Sequence, residues 1–81
     1  MMKERIDYCF GDRLKEAMAL KGLEGQDFDD LDIVSAASVH EYLEGRRIPN
    51  LRTAARMADF LGVSLDWLCG IGEDNPWTIG R

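Results

Sequence analysis

The amino-acid sequence predicts an all-α domain of five short helices. Apolar residues recur at spacings of three and four in several stretches, capping residues and glycines separate those stretches, and none alternates as a strand would. With 81 residues, the chain has room for one compact domain with one modest core. We expect this domain over residues 10–70, preceded by an N-terminal arm over residues 1–9. Residues 71–81 are expected to form a tail, either a dimerisation arm or the start of a linker.

The first helix is predicted to begin near Phe10 and to end at Gly22, a glycine suited to a helix C-terminus. Its apolar face repeats at the helical period and consists of Phe10, Leu14, Ala17 and Met18. Arg13 falls outside that face. Asp12 is a candidate N-cap for this helix.

A short second helix is predicted over residues 25–31. Helix propensity is poor in this stretch because several aspartates compete for backbone hydrogen bonds. Asp27, near the start, favours the positive end of the helix dipole. The apolar residues that can supply a core face are Leu23, Phe28, Leu31, Ile33 and Val34.

The stretch from Ser35 to Pro49 predicts a third helix with an anchored inner face and a basic exit. Ser35 is a good N-cap, and Gly45 supplies the left-handed residue that commonly ends a helix. Pro49 prevents the helix from resuming, and two arginines occupy the exit loop. The inner face is expected to consist of Val39, Tyr42 and Leu43, which follow one another at spacings of three and one.

A fourth and a fifth helix complete the predicted domain. Asn50 is a good N-cap for the fourth helix, and Gly62 ends it. The residues expected on its repeating apolar face are Leu51, Ala54, Ala55, Ala58 and Leu61. Ser64 then caps a short fifth helix, which carries Trp67 into the core. Trp77, in the tail, is expected either to fold onto its own domain or to pack across a dimer.

Charge is distributed unevenly along the chain. The net charge of −5 at first argues against nucleic acid as the partner. However, residues 24–45 carry seven acidic residues and no Lys or Arg, whereas residues 46–62 carry four Arg and one Asp. One acidic block is therefore followed directly by one basic block. This distribution of charge is more informative about binding partners than the net charge is.

Several classes of protein are disfavoured. No apolar run reaches the roughly 18 residues of a membrane span, and the start lacks the apolar core of a signal peptide, so a cytoplasmic protein is expected. No catalytic residue, cofactor or metal site is predicted, because the chain has no nucleophile–base set, phosphate-binding glycine loop or metal-ligand spacing. Cys9 and Cys69 lie near opposite ends of the chain and are expected to be buried or reduced thiols rather than a disulfide.

In the order and spacing of these features, residues 10–70 resemble a Cro/CI-type helix-turn-helix domain, the lambda-repressor-like fold of the XRE family. The matching stretches include Phe-Gly-Asp-Arg-Leu-Lys at 10–15, Lys-Gly-Leu at 21–23, Val-Ser at 34–35, Gly-Arg-Arg-Ile-Pro at 45–49 and Leu-Gly-Val-Ser-Leu-Asp-Trp-Leu at 61–68. Each stretch alone is a weak signal, and together they are specific. The resemblance implies a compact five-helix DNA-binding domain.

The resemblance also implies which residues would touch DNA. The third helix would enter the major groove, which is roughly 12 Å wide, and its outer residues would face base edges. Those base-reading residues are Ala36, Ala37, Ser38, His40 and Glu41. The residues implied to bind phosphate, on the exit loop and at the start of the fourth helix, are Arg46, Arg47, Asn50 and Arg52.

The chain departs from the family's pattern in three places. Gly25 stands where the family usually has a polar phosphate-binding residue. Asp29 and Asp32 stand where the family often has Ala and Leu, and because a buried Asp is costly, the second helix is expected to be shifted, shortened or rotated. Ala36 and Ala37 offer no hydrogen bond to bases and can at most touch a thymine methyl group.

Two functions from different classes follow. The first is a sequence-specific transcriptional regulator of the phage-repressor type, which binds a palindromic operator of double-stranded DNA as a homodimer through the Ser35–Gly45 helix. The second is an acidic helix-turn-helix module that binds another protein, as an antirepressor or antitoxin does. In that second case the partner would be basic, and the docking face would be Asp27, Asp29 and Asp30.

Overall fold

The computed structural model describes the backbone of residues 5–70 and the side chains of residues 10–70. This part of the chain contains five α-helices and no strand, which confirms the predicted all-α class. The helices are α1 (Arg5–Lys21), α2 (Gly25–Asp30), α3 (Ala36–Leu43), α4 (Leu51–Leu61) and α5 (Leu65–Leu68). The predictions for residues 1–4 and for the 71–81 tail, including Trp77, lie outside the described residues.

Helix α1 begins earlier than the sequence predicted. Residues 1–9 were expected to be an arm, but the helix already includes Arg5. Residues 5–9 contain no proline or glycine to stop it, and their apolar residues are too weakly patterned to show a helical period. Asp12 therefore lies within the helix, and its assignment as an N-cap was wrong.

The core lies where α1, α3, α4 and α5 pack together, with α2 against α3. Its fully buried large side chains are Trp67, Phe10, Phe28, Leu14, Met57, Leu61, Leu68 and Val39. Three residues expected on core faces are instead exposed: Leu31 by 56%, Leu51 by 74%, and Ala55. Periodicity identifies the apolar side of a helix but not where along that helix the core ends, and both leucines lie at helix termini.

Arg13 joins α1 to α5 instead of lying on the outer surface. Its guanidinium group donates a hydrogen bond of 2.7 Å to the carbonyl oxygen of Trp67. The same group lies over the indole ring of Trp67, with its carbon 4.8 Å from the ring centroid. A guanidinium can stack on an aromatic face and donate in its own plane at once, so Arg13 adds two contacts between α1 and α5 to the burial of Trp67 in the core.

Helices α1 and α3 approach each other closely at Gly11. A Cβ atom at this position would lie 2.6 Å from the backbone oxygen of Tyr42 and 3.2 Å from that of Leu43. Any other residue would therefore force the two helices apart. This contact fixes where the C-terminal end of α3 sits on the domain.

Candidate nucleic-acid interface

The N-terminus of α3 is capped from two directions. The hydroxyl oxygen of Ser35 accepts a hydrogen bond of 3.1 Å from the backbone N–H of Ser38, as predicted for an N-cap. The carboxylate of Asp29, on α2, accepts a second bond of 3.1 Å from the backbone N–H of Ala36. A negative charge is favourable at this end of the helix dipole. Helix α2 therefore braces the start of α3.

The two aspartates that depart from the family's pattern are both exposed, so neither carries the expected burial cost. Asp32 adopts the left-handed backbone conformation, with φ of 61°, in the turn that follows α2. Aspartate tolerates that conformation better than most residues. The helix ends at Asp30, close to the predicted position, and Phe28 remains buried against Phe60, with ring centroids 5.1 Å apart.

The inner face of α3 anchors the helix to the domain. Val39 and Tyr42 are buried, and Leu43 packs partly against the core, as predicted. The rings of Tyr42 and Phe10 meet edge to face, with centroids 6.1 Å apart. Helix α3 is therefore held by contacts that leave its opposite face free of the core.

The outer face of α3 is a stripe with helical spacing, which we call the outer stripe: Ala37, His40, Glu41 and Glu44. Three of these residues are exposed, and Glu41 is half-buried. Three of the five predicted base-reading residues thus lie on this stripe. The other two, Ala36 and Ser38, are half-buried, and the Ser38 hydroxyl lies 3.0 Å from that of Ser35.

The two arginines of the exit loop are paired with the two glutamates of the outer stripe. Arg46 lies 2.6 Å from a carboxylate oxygen of Glu44, and Arg47 lies 2.7 Å from one of Glu41. Gly45, with φ of 76°, provides the turn that brings the loop back beside the helix. Arg47 also lies 5.9 Å from the centroid of the buried Tyr42 ring.

Glu44 is a further member of this surface, although it was not among the residues predicted to contact DNA. Its second carboxylate oxygen lies 2.9 Å from Nε2 of His40, one helical turn earlier. The spacing of four residues was the available signal, since such pairs meet on a helix surface. Glu44 therefore bridges His40 and Arg46.

The start of α4 supplies the remaining predicted phosphate-binding residues. The side-chain oxygen of Asn50 accepts a hydrogen bond of 2.8 Å from the backbone N–H of Thr53, which confirms it as the N-cap. Arg52, in the first turn, is exposed, and no carboxylate among residues 10–70 forms an ion pair with it. These two residues follow the exit loop and extend its basic surface.

The aspartates proposed as a protein-docking face accept hydrogen bonds from their own domain. Asp27 accepts one of 2.7 Å from the backbone N–H of Glu24, and Asp30 accepts one of 2.9 Å from the side chain of Gln26. Asp29 caps α3, as described above. Local helix capping therefore accounts for part of the acidic block without a partner.

An apolar groove that the sequence did not predict lies beside the exit loop. The groove has a volume of about 200 Å³ and is lined by Phe10, Ile48, Pro49, Leu51, Ala54 and Cys69. Ile48 and Leu51 project from its rim, with 44% and 74% of their surfaces exposed. Exposed apolar side chains around a groove are typical of an interaction surface.

Cys69, on the groove wall, is a free thiol. Burial raises the pKa of this thiol, and the negative charge of Asp66 raises it further.

In a protein with Cys9 replaced by Ser, we expect iodoacetamide to alkylate Cys69 more slowly at pH 8 than it alkylates free cysteine, since the thiolate is the reactive form. Asp66→Asn should lower the thiol pKa and speed the reaction, whereas Asp59→Asn should not; equal rates in both variants would contradict this account.

Other kinds of site find no support in the described residues. Within residues 10–70, no group of three or more His, Cys, Asp or Glu side chains is arranged to hold a metal ion. None of the described helices has both the length and the apolar character needed to cross a lipid bilayer.

A capped helix that is braced by its predecessor and presents an exposed face beside a basic loop defines a helix-turn-helix domain. The family model HTH_3, described as Helix-turn-helix, matches residues 14–68. This match covers more than half of the chain, and the chain belongs to that family. The predicted resemblance to XRE-family helix-turn-helix domains is thereby confirmed.

One curated relative is described as an HTH-type transcriptional regulator. The chain is 34% identical over 59 residues to the SPbeta prophage-derived uncharacterized HTH-type transcriptional regulator YonR of Bacillus subtilis (strain 168). The aligned region covers 73% of this chain and 55% of the relative, so the chain spans about half of the relative's length. No solved structure matches the chain significantly.

Proposed function

We propose that this protein is a sequence-specific DNA-binding transcriptional regulator of the phage-repressor type. It binds a palindromic operator as a homodimer and inserts α3 of each copy into the major groove. The observation that carries this proposal is the arrangement of α3, whose outer stripe is free of the core and is flanked by Arg46, Arg47 and Arg52. The prophage origin of the transcriptional regulator YonR supports the same function.

In this proposal the residues divide by the part of DNA that they contact. Ala37, His40 and Glu41 face base edges, and Ala36 and Ser38 approach them from the half-buried side of the helix. The backbone phosphates are bound by Arg46, Arg47, Asn50 and Arg52. Phosphate contacts position the protein and give salt-dependent affinity, while base contacts select the sequence.

The apolar groove supports the homodimer. Leu51 is exposed beside a groove whose walls are apolar. Two copies related by a two-fold axis can therefore each place this leucine against the groove of the other. The groove also adjoins the proposed phosphate-binding residues. For both α3 helices to enter adjacent major grooves, such a dimer must hold them about 34 Å apart on the same side of the duplex.

Selection of duplexes from a random pool by the purified protein, at about 50 mM and about 200 mM salt, tests this function. We expect enrichment of a palindrome whose half-sites are centred about one helical turn apart. Affinity for that palindrome should fall steeply between the two salt concentrations, because arginine–phosphate contacts release counterions.

Absence of any enriched sequence at the lower salt concentration would contradict the proposed function. The acidic block would then dominate over the arginines, and the protein-binding alternative would gain. That alternative, an acidic module that binds a basic protein, has less support at present because Asp27, Asp29 and Asp30 already accept hydrogen bonds within the domain. Capture of a basic repressor in place of DNA would establish it.

A further inference from the structure

The outer stripe of α3 has an unusual charge for a surface that meets DNA. It carries two carboxylates, Glu41 and Glu44, and no lysine or arginine. Each carboxylate is held by an arginine of the exit loop, at 2.7 Å for Glu41–Arg47 and 2.6 Å for Glu44–Arg46. Two of the three arginines proposed to bind phosphate are therefore the same ones that neutralise the helix.

A carboxylate in the major groove accepts hydrogen bonds and cannot donate them. The N7 and O6 atoms of guanine and the O4 atom of thymine are acceptors, so they repel it. Adenine offers an amino group, but its N7 acceptor lies beside that group. Cytosine offers its N4 amino group without this neighbour, and it is the base that Glu and Asp read.

The two glutamates occupy different places with respect to the bases. Glu41 lies within α3, one turn after Ala37, whereas Glu44 follows the last residue of the helix. Base edges are contacted by residues of the recognition helix itself, beginning at its N-terminal end. Glu41 can reach them from one turn after Ala37, whereas Glu44 lies beyond the end of the helix, toward the backbone. The carboxylate of Glu44 also contacts both His40 and Arg46.

We propose that Glu41 makes this protein select cytosine at one position of each half-site and that Arg47 is its exchangeable counter-ion. On the cognate base, Glu41 accepts from the cytosine amino group, and Arg47 turns to a phosphate. On guanine or thymine the carboxylate meets no donor, and on adenine the N7 acceptor opposes it, so Arg47 stays with Glu41 and its phosphate contact is lost. Both side chains are partly exposed, at 57% for Arg47 and 37% for Glu41, so the ion pair exchanges at little cost.

This inference rests on the proposed function and deepens it. One exchange couples base reading to phosphate binding, so a cognate cytosine gains two contacts at once. Glu44 has a different effect in the same scheme. Its charge opposes phosphate whatever the sequence, so it lowers affinity for all duplexes without choosing among them.

Selection from the same random pool by wild-type protein, Glu41→Gln and Glu44→Gln tests the inference. Wild type should enrich a C·G pair at one position in each half-site. Glu41→Gln should replace that cytosine by adenine, because an amide pairs with N6 and N7 of adenine, and should shift the C-to-A preference by about tenfold or more. Glu44→Gln, the matched control, should keep the wild-type sequence and bind random duplex more tightly.

The outcomes separate this inference from the proposed function. Enrichment of an identical palindrome by all three proteins overturns the role of Glu41 and leaves the regulator intact. Equal relaxation of sequence preference by both variants also overturns it, because Glu41 would then act only as a negative charge. Failure of all three proteins to enrich any sequence overturns the proposed function and the inference together.

Discussion

Gly11→Val should lower the free energy of unfolding by about 3 kcal/mol, because the new side chain overpacks the crossing of α1 and α3. The first added carbon alone would lie 2.6 Å from the backbone oxygen of Tyr42, and a backbone atom cannot rotate away as a side chain can. Gly11→Ala should be intermediate, since a gain of about 1 kcal/mol in helix propensity offsets part of the clash. Urea unfolding followed by circular dichroism measures both.

Gly25→Ala is the matched control for this prediction. It makes the same change at another helical glycine, where the added carbon would meet its nearest neighbours at an ordinary 3.5 Å. Stability should be unchanged or slightly higher. A Gly11→Ala variant as stable as Gly25→Ala would show that the helices separate without cost, and the close approach would then not fix the end of α3.

Leu51→Gln should dissociate the proposed homodimer. Burial of a leucine side chain is worth about 1.5–3 kcal/mol, and a two-fold interface buries it twice, so the dimer dissociation constant should rise by about two orders of magnitude or more. Glutamine is similar in size and adds no charge beside the proposed phosphate contacts. Sedimentation equilibrium measures the oligomeric state, and titration of the selected operator measures the accompanying loss of affinity.

Two controls distinguish a lost dimer from a damaged domain. Leu20→Gln and Leu31→Gln change leucines that are 59% and 56% exposed but do not line the apolar groove. Both should remain dimeric. Leu51→Gln should bind a duplex with a single half-site as well as wild type does. Loss of the dimer in Leu31→Gln but not in Leu51→Gln would move the interface to the other face of the domain.

The helices and their ends, apart from the start of α1, were accessible from the sequence because their determinants are local. Ser35, Asn50 and Ser64 were identified as N-caps from residue type and position, and each accepts the expected hydrogen bond in the structure. The inner face of α3 followed from helical spacing. Such features depend on residues within one or two turns of each other, which is the range over which a sequence pattern carries information.

Features that depend on which elements meet were not accessible. The exposure of Leu51 and the groove beside it arise from how α4 sits against Phe10 and Cys69. The contact of Arg13 with Trp67 joins residues 54 positions apart. The pairing of Arg47 with Glu41 was only partly accessible. The two residues are close in the sequence, but the sequence does not show which way the exit loop turns.

The carboxylate of Asp29 constrains how this protein can evolve. Its negative charge opposes DNA phosphate, yet the same carboxylate holds the first backbone N–H of α3. Loss of this charge would reduce the repulsion of DNA phosphate and so favour tighter binding. The same loss would remove the hydrogen bond that holds the start of α3, the helix that reads the sequence. Substitution by asparagine, which keeps an acceptor oxygen, is the one small step that separates the two effects. Homologues that bind DNA more tightly should therefore carry asparagine at this position more often than alanine or lysine.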